Sequence, residues 1–151
     1  MGKNSQLEDY IPKELKKQIE IQAIGNRHFE EVYRVAKWGK LEERVFLSTY
    51  AEILEGYIEN GEKFDKSDIG TYSTSVYTER RNCDKFINLL KRKRRLRKLY
   101  PYPIVIKGKT SCGCVQKTSD RNEEYEDTSH VDWWIYKDKK AIAMKNFTIC
   151  E

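Results

Sequence analysis

Tyr100-Pro101-Tyr102-Pro103-Ile104-Val105-Ile106-Lys107-Gly108 is where the character of the chain changes, and its reading decides the fold. Proline lacks the N–H that a helix interior needs, so the two prolines end the helical pattern before them. The Ile-Val-Ile run that follows is β-branched and stops at a glycine, which is the pattern of a buried strand. Upstream, helical patterns alternate with short strands; downstream, strand patterns dominate. The order helix, strand, helix, strand, helix, then a strand-rich half predicts an α+β fold. At 151 residues the chain is long enough for one core, so 1–151 reads as a single domain, with 1–10 as a flexible N-terminal segment.

Working back from the prolines, residues 79–99 form a helical pattern with an apolar stripe of Cys83, Phe86, Ile87 and Leu90. Before it, Gly70 to Tyr77 is rich in Tyr, Thr and Val and reads as a strand, with Ser73 and Ser75 on one face and Tyr72, Thr74 and Val76 on the other. Thr49 and Glu52 have the spacing of a capping box, heading a helix whose stripe is Tyr50, Ile53, Leu54, Tyr57 and Ile58 and whose stop is Asn60-Gly61. Glu31 to Lys37 alternates as a strand, with Val32, Arg34 and Ala36 on one face and Tyr33 and Val35 on the other. Leu15, Ile19 and Ala23 mark a first helix from Pro12 to Ile24, stopped at Gly25-Asn26.

Working forward, Ser111 to Lys117 is expected to return as a hairpin beside the Ile104 strand across Gly108-Lys109. Residues 118–128 are polar and read as an exposed loop. Val131 to Tyr136 and Ala141 to Ile149 read as two antiparallel strands joined at residues 137–140. Alternation puts Val131, Trp133 and Ile135 on a core face, and Asp132, Trp134 and Tyr136 on a face suited to a ligand.

Composition removes some function classes. The 10 Tyr, 5 Phe and 3 Trp argue against disorder despite a charged fraction of 35%. No apolar run nears the roughly 20 residues of a membrane-spanning helix, and the N-terminus lacks the apolar core of a signal peptide. The expectation is a cytoplasmic protein with no membrane partner. Net charge is +5, and seven cations stand within residues 91–98, so removing them leaves −2 on the rest. Such a patch meets phosphates, an acidic protein surface, or water. The four cysteines read as reduced thiols. Cys112, Cys114, His130 and Cys150 could make up a zinc tetrahedron, but the pair is Cys-x-Cys and no second compact pair follows, so no metal is expected.

Three motifs in order carry a resemblance: Val32-Tyr33-Arg34-Val35, then Tyr72-Ser73-Thr74-Ser75-Val76, then His130-Val131-Asp132-Trp133-Trp134-Ile135. The set resembles the arginine–serine–glutamate branch of the ADP-ribosyltransferases. That resemblance implies two packed antiparallel sheets and NAD as cofactor. It implies Arg34 as the anchor of the diphosphate, and Ser73, Thr74 and Ser75 as the floor of the nicotinamide pocket. It also implies Asp132, with His130, at the position of the catalytic acidic pair. The family carries Glu-x-Glu or Gln-x-Glu where this chain has His130-x-Asp132. Aspartate is one methylene shorter than glutamate, and a misplacement of about 1 Å costs on the order of a hundredfold in rate. The expected protein is therefore a catalytic or a non-catalytic relative. Glu124-Tyr125-Glu126 is formally Glu-x-Glu, but it lies in polar surroundings. The plainer readings are a surface arginine at 34, an incidental Ser-Thr-Ser and a polar strand entry at 130–132.

A second reading comes from a different class. Arg92, Lys93, Arg94, Arg95, Arg97 and Lys98, with Tyr100 and Tyr102, have the composition of a nucleic-acid grip, in which phosphates meet cations and bases stack on rings. That predicts a small polyanion-binding or inhibitor module of the phage or mobile-element type, whose partner is nucleic acid, a ribonucleoprotein or a protein target.

Overall fold

The β-branched and aromatic runs pair into one antiparallel sheet of six strands: β1 (Val32–Ala36), β2 (Thr74–Tyr77), β3 (Ile104–Gly108), β4 (Gly113–Lys117), β5 (His130–Ile135) and β6 (Phe147–Ile149). Their spatial order is β4-β5-β2-β1-β3-β6. The helices are α1 (Lys13–Gln22), α2 (Thr49–Leu54), α3 (Arg80–Arg92), α4 (Arg94–Leu99), α5 (Thr118–Arg121) and α6 (Lys140–Met144). This is an α+β fold in a single compact chain, and the computed structural model describes residues 6–23, 28–59 and 61–150. The proposed stop at Gly25-Asn26, the Asn60 of the second stop and residues 1–5 lie outside the described residues.

Strand alternation divides the core. Val32, Ala36, Val76, Ile106, Val115, Val131, Trp133 and Ile135 pack on one face with Phe46, Ala143 and Phe147. The other face carries two separate clusters. At the β4–β5 end, Trp134 and Tyr72 pack with Leu15 and Ile19 of α1 and with Leu7 and Ile11. At the β1–β3 end, Val35 and Val105 pack with Cys83 and Leu90 of α3 and with Tyr100. Burial pushes the Cys83 thiol up to about 12, which leaves it an inert packing group.

The sheet is nearly divided between β1 and β2. Register pairs run along β1–β3, β2–β5 and β4–β5, whereas β1 and β2 share one pair, Tyr33 opposite Tyr77. Beyond that pair the strands part, and the Arg34 side chain fills the gap.

Several expectations are corrected. The strand at Ile104 does not form a hairpin with β4; it lies between β1 and β6, while β4 pairs with β5. The segment 141–149 is not a partner of β5, because β2 and β4 occupy both edges of that strand. Its first half is α6, and its second half, β6, crosses to β3, where Gly108 meets Phe147. A Cβ at Gly108 would stand 2.6 Å from the Phe147 ring, so the glycine permits this closure. The helix cap is Ser48, not Thr49: its Oγ accepts from Ala51 N at 3.1 Å. That helix stops at Gly56, with φ +83, where Gly56 N bonds Ile53 O and Tyr57 N bonds Glu52 O. This double closure on a left-handed glycine ends the helix well before Asn60. The helix expected over 79–99 breaks at Lys93 (φ −93, ψ 114), since like charges three and four residues apart oppose its continuation. Within 1–10, Leu7 is buried and Gln6 O accepts from Lys137 N, so residues 6–10 pack on the domain.

The tryptophan pair corrects a further expectation. Trp133 is core, as alternation predicts, but Trp134 is not a ligand wall: it is 1% exposed, and its Nε1 donates to Ile69 O at 3.0 Å. The opposite face of β5 is a second core beneath α1. We expect Trp133→Ala and Trp134→Ala each to cost about 3–5 kcal/mol in urea unfolding. A loss below about 1 kcal/mol in Trp134→Ala would contradict the two-core arrangement.

Candidate functional site

Where β1 and β2 part, the sheet leaves a cavity of about 230 Å³, lined by residues including Arg34, Lys37, Trp38, Glu52, Ser75 and Tyr77. The Arg34 guanidinium holds its inner wall. Nε donates to Val45 O at 2.6 Å, Nη1 to Ser75 O at 2.6 Å and Nη2 to Leu47 O at 3.4 Å. One cation thereby ties β1, the chain before α2 and β2 together. Burial lowers its pKa and the Glu52 carboxylate, 3.9 Å away, opposes that shift. Arginine has five N–H donors, so two remain beyond these three bonds.

The rim adds charge and rings. Lys37 Nζ pairs with Glu52 Oε1 at 2.5 Å and stands 5.1 Å from the ring centres of both Trp38 and Tyr100. Trp38 is also covered by the Arg44 guanidinium at 4.2 Å and meets Tyr57 edge-on. Tyr77, also facing the cavity, has its phenol pushed up to about 12 by burial, so its hydroxyl stays a neutral donor and acceptor. The lining thus combines two cations, one carboxylate, hydroxyls from Thr49, Ser75 and Tyr77, and the aromatic walls Trp38, Phe64 and Phe86.

The other motif residues stand one strand away. Ser75 lies opposite Asp132 in the β2–β5 ladder. Asp132 is 1% exposed and closed in on every side: Ser73 Oγ donates to Oδ1 at 2.6 Å, while Thr118 Oγ1 at 2.9 Å and Arg121 Nη2 at 2.6 Å donate to Oδ2. Arg121 also donates to Gln116 Oε1 at 2.7 Å. His130 Nδ1 lies 2.5 Å from Thr118 Oγ1. The threonine hydroxyl has one proton and gives it to Asp132, so it accepts from an Nδ1–H of His130.

Of the residues singled out in the sequence, Arg34 and Ser75 share the cleft, whereas Ser73, Thr74, His130 and Asp132 do not line it. Thr74 faces the main core and donates to Phe46 O at 2.8 Å. Asp132 and His130 are members of a closed polar knot, which corrects their expected place at the reacting centre. Segment 118–128 is likewise not a simple exposed loop: its first turn is α5, with Thr118 buried and Arg121 on Asp132. Tyr100 is buried edge-on against Trp38 and presents no face for a base to stack on. Tyr102 is exposed, as are all six cations from Arg92 to Lys98. Lys37, Trp38 and Glu52 were missed, since the capping-box reading accounted for Glu52 without a cleft. Among the described residues, no group of three His, Cys, Asp or Glu side chains could hold a metal ion.

Compared with protein-family models, curated proteins and solved structures, the chain has no match. Two tests separate a structural knot from a catalytic pair. Asp132→Asn removes the partner of a buried cation and is expected to cost on the order of 3–5 kcal/mol of stability, measured by urea unfolding. Burial also lowers the pKa of His130. The unfolded chain takes up a proton near pH 6.5 that the folded one resists, so stability should fall as pH drops through about 6.5 toward the lower folded value. His130→Gln should flatten that part of the pH–stability curve, and an unchanged slope would contradict the buried placement.

Proposed function

We propose that this chain is an ADP-ribosyltransferase-like protein that binds NAD in the β1–β2 cleft without carrying out transfer. The observation that supports it most is the neighbourhood of the three motif strands. β1, β2 and β5 lie side by side, with Arg34 Nη1 on Ser75 O and Ser73 Oγ on Asp132. Motifs separated by 41 and 59 residues in sequence thereby meet in space, although on one six-stranded sheet and not on the two packed sheets the resemblance implies.

The cleft's chemistry suits the ligand. A diphosphate needs cations, for which Lys37 and the two remaining N–H groups of Arg34 are available. Ribose hydroxyls need donors and acceptors, which Ser75, Thr49 and Tyr77 offer. A flat cationic nicotinamide ring suits the aromatic walls and the Glu52 carboxylate. The cavity, at about 230 Å³, is smaller than the roughly 300–1,000 Å³ of sites enclosing a whole drug-sized molecule. This reading therefore puts the nicotinamide–ribose end inside and the adenosine end across the rim.

Binding without transfer follows from Asp132. Cleaving the nicotinamide–ribose bond develops positive charge that an uncommitted carboxylate near the ribose would stabilise. Asp132 is instead neutralised by Arg121 and shut away from the cleft, and Glu52, the carboxylate that lines it, is committed to Lys37 and Arg34.

Isothermal titration with NAD tests the reading. Saturable binding is expected, with no nicotinamide released on prolonged incubation. Phe86 borders the cleft and is 36% exposed, so Phe86→Ala should leave the fold intact, by circular dichroism, while weakening NAD about fivefold through loss of an aromatic wall against the nicotinamide cation. Absence of saturation at millimolar NAD would overturn the proposal, and steady nicotinamide release would overturn its non-catalytic part.

A further inference from the structure

We infer a second, independent site: a single-stranded nucleic acid lies along the exposed face of α3 and across the α3–α4 break, its phosphates on Arg80, Lys85, Lys91, Arg92 and Arg94 and a base on Tyr102. Two open troughs run side by side there. One is bounded by Arg80, Asp84, Asn88 and Lys91 on α3, with Pro103, Ile104 and Val105 on the opposite wall. The other is bounded by Lys85, Asn88, Lys91 and Arg92. They share Asn88 and Lys91, so they form one continuous surface. Four cations line it against one carboxylate, Asp84, which stands 3.9 Å from Arg80. From Arg80 to Arg92 the surface follows α3 for about 18 Å at the rise of an α-helix.

The fold itself gives the cations between Lys91 and Lys98 little to do. Lys91 and Arg92 complement the negative C-terminal end of α3. Arg94 and Arg95, however, open α4, where the positive end of the helix disfavours cations. Arg95 is paired with Glu59, and Arg97 donates to Lys91 O at 3.0 Å. No carboxylate of the described residues pairs with Lys91, Arg92, Lys93, Arg94 or Lys98. A concentration of unneutralised charge on a body that otherwise sums to −2 matches a polyanion.

Three features select a single strand. The break at Lys93 turns the cations away from a single straight helix, the form in which a helix enters a duplex groove. The trough has an apolar wall of Ile87, Ile104 and Val105 against which unpaired bases can lie. Tyr102, next to the trough residue Pro103, is 81% exposed and presents a free ring, as stacking on an unpaired base requires.

Fluorescence anisotropy with labelled U12, dT12 and a 12-base-pair duplex, with unlabelled heparin and polyglutamate as competitors, tests the site on the intact chain. Either single strand should bind more tightly than the duplex, with a log–log salt slope of about −0.7 per phosphate contacted. Preference for U12 assigns RNA and preference for dT12 assigns DNA. The variant Lys91→Glu/Arg92→Glu/Arg94→Glu alters exposed positions only and should lose at least a hundredfold in affinity while binding NAD as the parent does. Tyr102→Ala should lose at least fivefold, in keeping with the roughly 1–3 kcal/mol of one stacked base. Equal binding of single strand and duplex, full displacement by polyglutamate at equal charge, an unaffected Tyr102→Ala, or undiminished binding in the triple variant would each overturn the inference.

Discussion

The Arg34 guanidinium standing in the gap between β1 and β2 is the constraint on which the rest of the molecule depends. A continuous β1–β2 ladder would place backbone groups against one another at this point. Arg34 takes over as the donor, bonding carbonyls of Val45, Leu47 and Ser75. Buried carbonyls left without donors would cost on the order of 1–3 kcal/mol each, so the strands can part only because a side chain with several donors bridges them. Parting the strands gives a six-stranded sheet two halves, each with its own core on the helical face. It also creates the cleft between those cores.

A second polar group closes what the first opens. Asp132 collects donors from Ser73 before β2, from Thr118 and from Arg121, and so fastens α5 and the 69–73 turn to β5. A buried carboxylate must be compensated in this way or carry a large desolvation penalty. The two knots divide the motif residues between them. Arg34 and Ser75 border open space, whereas Ser73, His130 and Asp132 are consumed by packing. The same three-strand neighbourhood therefore leaves a polar cleft at Arg34 and closes Asp132 away from it. Glu52 is the carboxylate that remains at the cleft, held by Lys37 and Arg34.

Much of the fold was legible wherever local alternation decides it. The faces of β1 and of Thr74–Tyr77 follow from period two, and Trp133 as core follows from Val131 and Ile135 beside it. The strand expected from Gly70 begins only at Thr74, because Ile69–Tyr72 is a 3-10 turn that puts Tyr72 in the α1 core, on the face opposite Val76. Strand partners were not legible, because pairing depends on which edges are free. β5 is occupied on both sides, a fact that nothing within residues 130–149 encodes. Trp134 was misread because polar neighbours, His130 and Asp132, suggested a ligand-facing wall; the face carries polar groups but is buried under α1. The short span of α2 was hidden in Gly56, a left-handed stop within a stripe that otherwise reads as continuous. Of the candidate site, Arg34 and Ser75 were visible as motif members. Lys37, Trp38 and Glu52 became visible only once chain segments distant in sequence were brought to one cavity. Arg121, in a polar stretch that reads as loop, carries no local sign of its buried carboxylate.

Chemical-shift mapping of the isotope-labelled chain with NAD tests the central claim most directly. Saturable shifts are expected at Ser75, Tyr77, Lys37 and the Trp38 indole N–H, with smaller ones at Thr49 and Phe86. The resonances of Thr118, Arg121 and Asp132 should remain in place, because that knot is closed to the ligand. Shifts confined to α3 and α4, or none at any NAD concentration, would contradict a ligand site at the parting of β1 and β2.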